Sequence, residues 1–304
     1  MKYIKLHNVN EIKSVLKELL DNHKKYIVIA GGTDLMNDLK KFPSKFDGIE
    51  YMLDISEVDE IRGINMEDGF VKIGVATTIE EIRKHHGLKK LFPAIHDAAE
   101  HFATLQIRNM ATIGGNLGTA SPASSLAPPL LTYDAEIELL GPDGLRRLRL
   151  EQFFVGPKKN SLKPYEIILN IYIKQIPNST SAYEEIGKRI GNIIPIVSSA
   201  AALTIKRSNE DIIINEARIA LGSVAPTPIR AVSAEKEITN ITIYKSEILN
   251  YDMFREKFSN ACNSVKRDIL PIDDHRSSKW YRSEMVVTLT CRALRKALLR
   301  IWEQ

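Results

Sequence analysis

Ala111-Thr-Ile-Gly-Gly-Asn-Leu-Gly-Thr-Ala-Ser-Pro-Ala-Ser-Ser125 is built mostly of small residues, with two adjacent glycines near its start. A loop of that composition inside a folded domain lets the backbone approach something closely. A second glycine pair, in Ile29-Ala-Gly-Gly-Thr-Asp34, ends the short apolar run over 26–30. Consecutive glycine N–H groups, with no side chain in the way, can form a nest around a phosphate oxygen, and two facing nests could hold a pyrophosphate. Either pair alone is weak evidence, because Gly-Gly is most often a turn.

Outward from these two points the pattern alternates strands and helices. Ile12, Val15, Leu16, Leu19 and Leu20 recur at helical spacing after Asn8 and Asn10, either of which can cap the helix. Residues 26–30 read as a strand, and Thr33-Asp34 as caps for a helix carrying Leu35, Met36 and Leu39. A strand is expected over 70–76, then a capping box from Thr78 to Glu81, and one helix over 93–108. Residues 134–140 and 145–150 flank Gly-Pro-Asp-Gly144 and predict a hairpin, and 167–173 one more strand. The polar run Pro177-Asn-Ser-Thr-Ser181 divides a domain over 1–176 from a smaller one over 177–304. In the second, 193–206 and 212–221 flank Ser-Asn-Glu-Asp211 as antiparallel strands, and 247–265 and 283–302 have helical periodicity. The class is α+β.

Composition narrows the function. At 304 residues and 44% hydrophobic content, each of two domains can bury a core. The net charge of +4 is spread along the chain, which argues against a dedicated nucleic-acid or membrane-surface protein. No apolar run reaches the roughly 18 residues of a membrane span, and the N-terminus lacks a signal peptide's apolar region, so the expected compartment is the cytoplasm. Two cysteines, Cys262 and Cys291, are too few for an iron–sulfur cluster held by this chain alone, and are expected to be buried free thiols. The histidines show no metal-ligand spacing, and neither G-x-G-x-x-G nor a phosphate loop occurs.

Ala30-Gly-Gly-Thr-Asp-Leu35, Gln106-Ile-Arg-Asn-Met-Ala-Thr-Ile-Gly-Gly-Asn-Leu117 and Thr119-Ala-Ser-Pro-Ala123 resemble the two FAD-binding loops of the flavin (medium) subunits of molybdenum hydroxylases, the xanthine dehydrogenase and carbon monoxide dehydrogenase family. The resemblance continues through Phe153-Phe-Val-Gly-Pro, Leu162-Lys-Pro-Tyr-Glu-Ile-Ile168 and Gly222-Ser-Val-Ala-Pro-Thr-Pro-Ile-Arg230 to Asp274-His-Arg-Ser-Ser-Lys-Trp-Tyr-Arg282. It implies an FAD domain of two α+β subdomains, of the vanillyl-alcohol-oxidase-like kind, and a small α+β domain with a three-stranded antiparallel sheet and helices.

The resemblance places Ile27, Val28, Ile29, Ala30, Gly31, Gly32, Thr33 and Asp34 in a first cofactor loop and Thr112, Ile113, Gly114, Gly115 and Asn116 in a second, both around the FAD pyrophosphate. It adds Thr119, Ser121, Ser125, the aromatic Phe102, the apolar Ile168, and Lys188 of the basic pair Lys188-Arg189. Two positions depart from it: Ser125 stands where relatives commonly carry an acid, and Glu184 or Glu185 where they often carry a cofactor-contacting lysine. The implied function is an FAD-carrying electron relay without a catalytic side chain. Its implied partners are a large molybdopterin-cofactor subunit and a small subunit with two [2Fe-2S] clusters, arranged as a dimer of heterotrimers, with NAD a possible acceptor. The alternatives are a stand-alone FAD oxidase or dehydrogenase and a flavin-free structural subunit.

Overall fold

In the computed structural model, which describes residues 1–304 except 68, 190, 209, 210, 303 and 304, Asn8 accepts the Glu11 N–H at 2.8 Å. That bond caps the helix Val9–Asp21, whose Ile12, Leu16 and Leu19 are buried. The helix links two strands of a parallel three-stranded sheet, Lys2–Lys5 and Tyr26–Ile29, which flank Tyr51–Asp54 on either side. A five-stranded antiparallel sheet follows in the spatial order Ile64–Glu67, Phe70–Gly74, Ile167–Lys174, Glu136–Gly141, Gly144–Arg149. The last two form the expected hairpin, closed by the pair Gly141 and Gly144. Six short helices lie between the second and fourth of these strands in the chain, and the Thr78–Glu81 capping box begins the first of them, Ile79–Lys84.

Residues 93–108 are two helices rather than one. Pro93–His101 stops where Ala103 takes φ of 40°, and Thr104 then caps Leu105–Met110. The small-residue stretch also holds more order than a loop: Thr112 caps a helix over Ile113–Gly118. In the C-terminal part, Val197–Ser208 and Asp211–Gly222 are the two expected antiparallel strands, and Ser179–Ile186 pairs with the first of them, so residues 179–181 of the expected polar divider are strand rather than turn. Two short strands, Ile229–Arg230 and Ile241–Tyr244, both pair with Asp211–Gly222 and make the sheet five-stranded. Residues 209 and 210 of the expected turn lie outside the described residues. Asn250 interrupts the helical pattern by accepting the N–H groups of Asp252 and Met253, so Lys245–Leu249 and Tyr251–Ser264 are separate helices.

Strand alternation decides which way this last sheet faces. Tyr183, Ala200, Ala202 and Ala220 join the core of the N-terminal part. Ala182, Ala201, Leu203, Ile219 and Leu221 join the second core, under the helices Val232–Ile238, Tyr251–Ser264 and Lys279–Leu299. The alanines let Pro93–His101 and Ala127–Thr132 come close to the sheet. Asp97 then joins the halves: it accepts two hydrogen bonds from Arg300 at 2.6 and 2.9 Å and the Tyr183 N–H at 3.0 Å. Burial works against ionisation of Asp97, but the Arg300 bonds outweigh it and hold the carboxyl below its usual range.

The free-thiol expectation is overturned. Tyr251–Ser264 and Lys279–Leu299 lie side by side with the Cα atoms of Cys262 and Cys291 5.7 Å apart, and the two sulfurs are bonded. The loop closed by this bond spans a sequence separation of 29. The double variant Cys262→Ala/Cys291→Ala should therefore lose about 3–4 kcal/mol of stability by the loop-entropy relation. Urea unfolding without reductant checks it, and dithiothreitol should bring the wild type towards the variant.

Candidate functional site

The strand Tyr26–Ile29, which carries Ile27, Val28 and Ile29, delivers Ala30 and the first glycine pair to the start of the helix Leu35–Lys41. Asp34 takes the capping position, yet its side chain makes no capping bond. The carbonyl groups are engaged, with Gly32 accepting the Met36 N–H at 2.9 Å and Thr33 accepting the Asn37 side-chain amide at 2.7 Å. The N–H groups of Gly31, Gly32, Thr33 and Asp34 find no acceptor among the described residues. None of the four is buried. Consecutive open donors of this kind form an electropositive edge suited to an anion.

The second glycine pair is arranged differently, and the expectation of a second nest there is corrected. Ile113 donates its N–H to the Thr77 carbonyl, Gly114 to Val75 and Asn116 to Thr112, each at 3.0 Å, and Gly115 donates to the Thr112 hydroxyl at 3.1 Å. All four donors are used inside the protein. Gly114 has no side chain because a Cβ there would collide with Val75, so it serves close packing of the helix on the strand. What the helix offers outward is a small-residue surface, with Gly115 exposed. Thr119 hydrogen-bonds back to the Gly115 carbonyl, and Ser121 accepts the Ala123 N–H. The Asn116 side-chain oxygen accepts the Ser124 hydroxyl at 2.6 Å, which leaves its amide NH2 as a donor with no acceptor among the described residues.

The two turns are in contact. A Cβ on Gly31 would collide with the Met110 carbonyl and crowd Ala111, just ahead of Thr112. Ile168, 8% exposed, lies beside the same helix, its Cδ1 3.4 Å from a Cβ built on Gly118. Phe102 is half-buried and its backbone bridges to Ile193 of the C-terminal part. The Phe102 carbonyl accepts from Arg108 at 3.0 Å, and Arg108 is held by Glu80, also at 3.0 Å. Glu80 is gripped through both oxygens by Arg83, and the Arg83 and Arg108 hydrogen bonds hold its carboxyl down at about 2.

Ser124 and Ser125, both buried, carry the chain from this helix to the seam with the C-terminal part. The Ser125 hydroxyl lies 3.3 Å from Glu185 Oε2, which also accepts the Tyr183 hydroxyl at 2.6 Å. Glu184 points elsewhere, to Lys296 at 3.0 Å. Of the two glutamates left open by the sequence, Glu185 is thus the one that meets Ser125. Lys188 sits on an exposed loop and donates to the His275 carbonyl at 2.7 Å; no hydrogen bond among the described residues joins it to the cluster. Sequence reasoning missed the Glu80–Arg108 support of Phe102, for which Glu80 and Arg83 at i,i+3 spacing were the available signal. It also missed Asp97–Arg300, whose partners are 203 residues apart.

The FAD binding domain in molybdopterin dehydrogenase matches residues 1–177, and the CO dehydrogenase flavoprotein C-terminal domain matches residues 181–297. The chain belongs to the FAD-binding subunits of the molybdenum hydroxylase family. Membership agrees with two relatives of similar length. The xanthine dehydrogenase FAD-binding subunit of Escherichia coli O157:H7 is 30% identical over 295 residues, covering 96% of this chain and 95% of that one. The glyceraldehyde dehydrogenase medium chain of Sulfolobus acidocaldarius is 30% identical over 268 residues, 88% of this chain and 89% of that one. Among solved structures, a chain of the carbon monoxide dehydrogenase of Hydrogenophaga pseudoflava superimposes with a TM-score of 0.85 at 26% identity, covering 99% of this chain and 98% of its counterpart. As a family member, the chain is part of an oxidoreductase. Among the described residues no helix is long and apolar enough to cross a membrane.

Gly31→Ala should push the first turn off Met110 and separate the two turns, lowering both thermal stability and flavin content. Gly115→Ala, whose new Cβ meets only the Thr112 hydroxyl at 3.2 Å, should keep its fold; melting curves and visible spectra of the two variants check this contrast. Glu80 gives a prediction in pH. Its carboxyl sits at about 2 in the fold against an ordinary 4.5, so the unfolded chain binds more protons in that interval. The contribution of Glu80 is therefore complete above about pH 4.5 and lost as the pH falls towards 2. Glu80→Gln should cost about 1.5–3 kcal/mol at neutral pH, a gap to the wild type that closes in acid, as urea titrations at several pH values would show.

Proposed function

We propose that this chain holds FAD along the seam between the two glycine turns and relays electrons from two [2Fe-2S] clusters on a small partner chain to a terminal acceptor such as NAD. In this reading a large molybdopterin-cofactor chain oxidises the substrate, and the three chains work in the cytoplasm as a dimer of heterotrimers. The observation that carries it is the row of four N–H groups over Gly31, Gly32, Thr33 and Asp34 without an acceptor among the described residues, in a domain of an FAD-binding family.

The residues present suit the cofactor. The Gly31–Asp34 donors would take the pyrophosphate oxygens, as backbone donors at a helix start do. The Asn116 amide NH2, without an acceptor among the described residues, would add a donor from the second turn. Gly115, Thr119 and Ser121 leave room for close approach, and Ile168 and Phe102 supply apolar cover for rings. Ile113 and Gly114 would contribute through position alone, since their N–H groups are spent inside the protein. Bound FAD supplies the redox chemistry, taking electrons singly or in pairs and passing them on. No side chain of this chain needs to act as acid or base for electron entry.

The purified chain, mixed with FAD, should show flavin absorption bands. Asn116→Asp, which replaces an amide donor with a carboxylate near the phosphates, should weaken FAD binding about 10- to 100-fold, the equivalent of 1.5–3 kcal/mol. Isolation from the native source should bring down a large chain and a small ferredoxin-like chain. Unchanged FAD affinity in Asn116→Asp would remove the second turn from the site, and a colourless protein would favour a structural subunit.

A further inference from the structure

Glu185 has surroundings that the cofactor grip does not explain. It is a half-buried carboxylate at the seam, and both of its hydrogen bonds, from Tyr183 and Ser125, converge on Oε2. Oε1 accepts from no described residue, and no Lys, Arg or His among the described residues lies within ion-pair distance. Its neighbours across the strands offer little compensation. Ser198 stands opposite it in the sheet, and Glu184 on the same strand is neutralised by Lys296. Asp97, Arg300 and Lys296 satisfy one another on the other side of the seam. His101, at the end of Pro93–His101, lies beyond ion-pair distance, and its Nδ1 is engaged with the Asp97 carbonyl. Burial pushes the Glu185 carboxyl up, against the opposing pull of Tyr183 and His101.

The position of this group matters because Ser125 and Ser124 are adjacent, and Ser124 orients Asn116 at the glycine helix. A carboxylate without a counter-charge is therefore linked, through the adjacent Ser125 and Ser124, to the Asn116 side chain assigned above to FAD. Negative charge arriving there is repelled by an ionised Glu185 and tolerated by a protonated one.

We propose that Glu185 takes up a proton when electrons reach the flavin site, so that the redox potential of the bound FAD depends on pH through this carboxylate. The inference rests on the FAD-relay reading. The electrons come from the reduced [2Fe-2S] donor and the proton from solvent; one O–H bond forms at Oε1, and no bond on the protein breaks. Glu185 acts as a tuning residue beside the flavin.

Potentiometric titration of the FAD-loaded chain across acid to alkaline pH tests it. Glu185→Gln, neutral at every pH, should match the wild type in acid and show the higher potential in alkali, with one proton fewer taken up per electron pair. Tyr183→Phe removes a donor that favours the carboxylate, so the pH at which wild-type and glutamine curves diverge should move upward. It also keeps the test open if Glu185→Gln does not fold. Melting of the flavin-free chain gives a second reading: a raised Glu185 makes wild-type stability fall as pH rises through its range, and Glu185→Gln should lack that fall. FAD-loaded Glu185→Gln and Tyr183→Phe that titrate like the wild type overturn the proposal alone. A wild-type chain that takes up no FAD overturns the relay reading and the proposal together.

Discussion

Two backbones meet where Gly31 lies against the Met110 carbonyl, and no side chain fits between them. That contact brings the end of one parallel strand to the start of the Thr112-capped helix, although Gly31 and Met110 are 79 positions apart in the chain. Everything assigned to the cofactor follows from it. The first turn, with its open N–H groups, comes to lie against Met110 and Ala111 just ahead of the second, and Ile168 lies against the same helix. A side chain at Gly31 would leave two intact turns with nothing to hold between them.

The second constraint is the closeness of the halves. Alanines at 200, 202 and 220 turn a sheet face into a flat bed for N-terminal helices, and Asp97 is then buried where Arg300 can reach it twice. Breaking one side of such a pair leaves a buried charge without compensation, which costs more than the pair itself contributes. Its consequence for the site is geometric: Tyr183, whose N–H Asp97 accepts, is the residue whose hydroxyl reaches Glu185. The clamp and the Tyr183–Glu185 bond thus share one strand.

Much of this was legible locally. Asn8, Thr78 and Glu81 announced their helices through capping chemistry, and the hairpin through Gly-Pro-Asp-Gly, because those signals act within four residues. The glycine pairs marked the right places, but for partly different reasons. At Gly31 the absent side chain admits another backbone, while at Gly114 it admits Val75 and the N–H points inward. A sequence shows that a Cβ is missing and not what fills the space. The Cys262–Cys291 bond, the break at Ala103 and the Asp97–Arg300 pair depend on neighbours brought together by folding, and no local pattern encodes them.

A division of labour explains why the grip reads clearly at 30% identity while the seam does not. The open donors of the first turn are main-chain groups, so almost any substitution that preserves the turn preserves them. The seam is made of side chains, and each exchange there changes charge. At this seam Glu185 is a carboxylate whose hydroxyl donors come from Tyr183 and Ser125. Hydrogen bonds can hold such a group in place but cannot cancel its charge, and in a partly desolvated seam the proton is the counter-ion that can always reach it. The same backbone frame can therefore carry a cofactor of one identity while its side chains set, protein by protein, how readily that cofactor accepts charge.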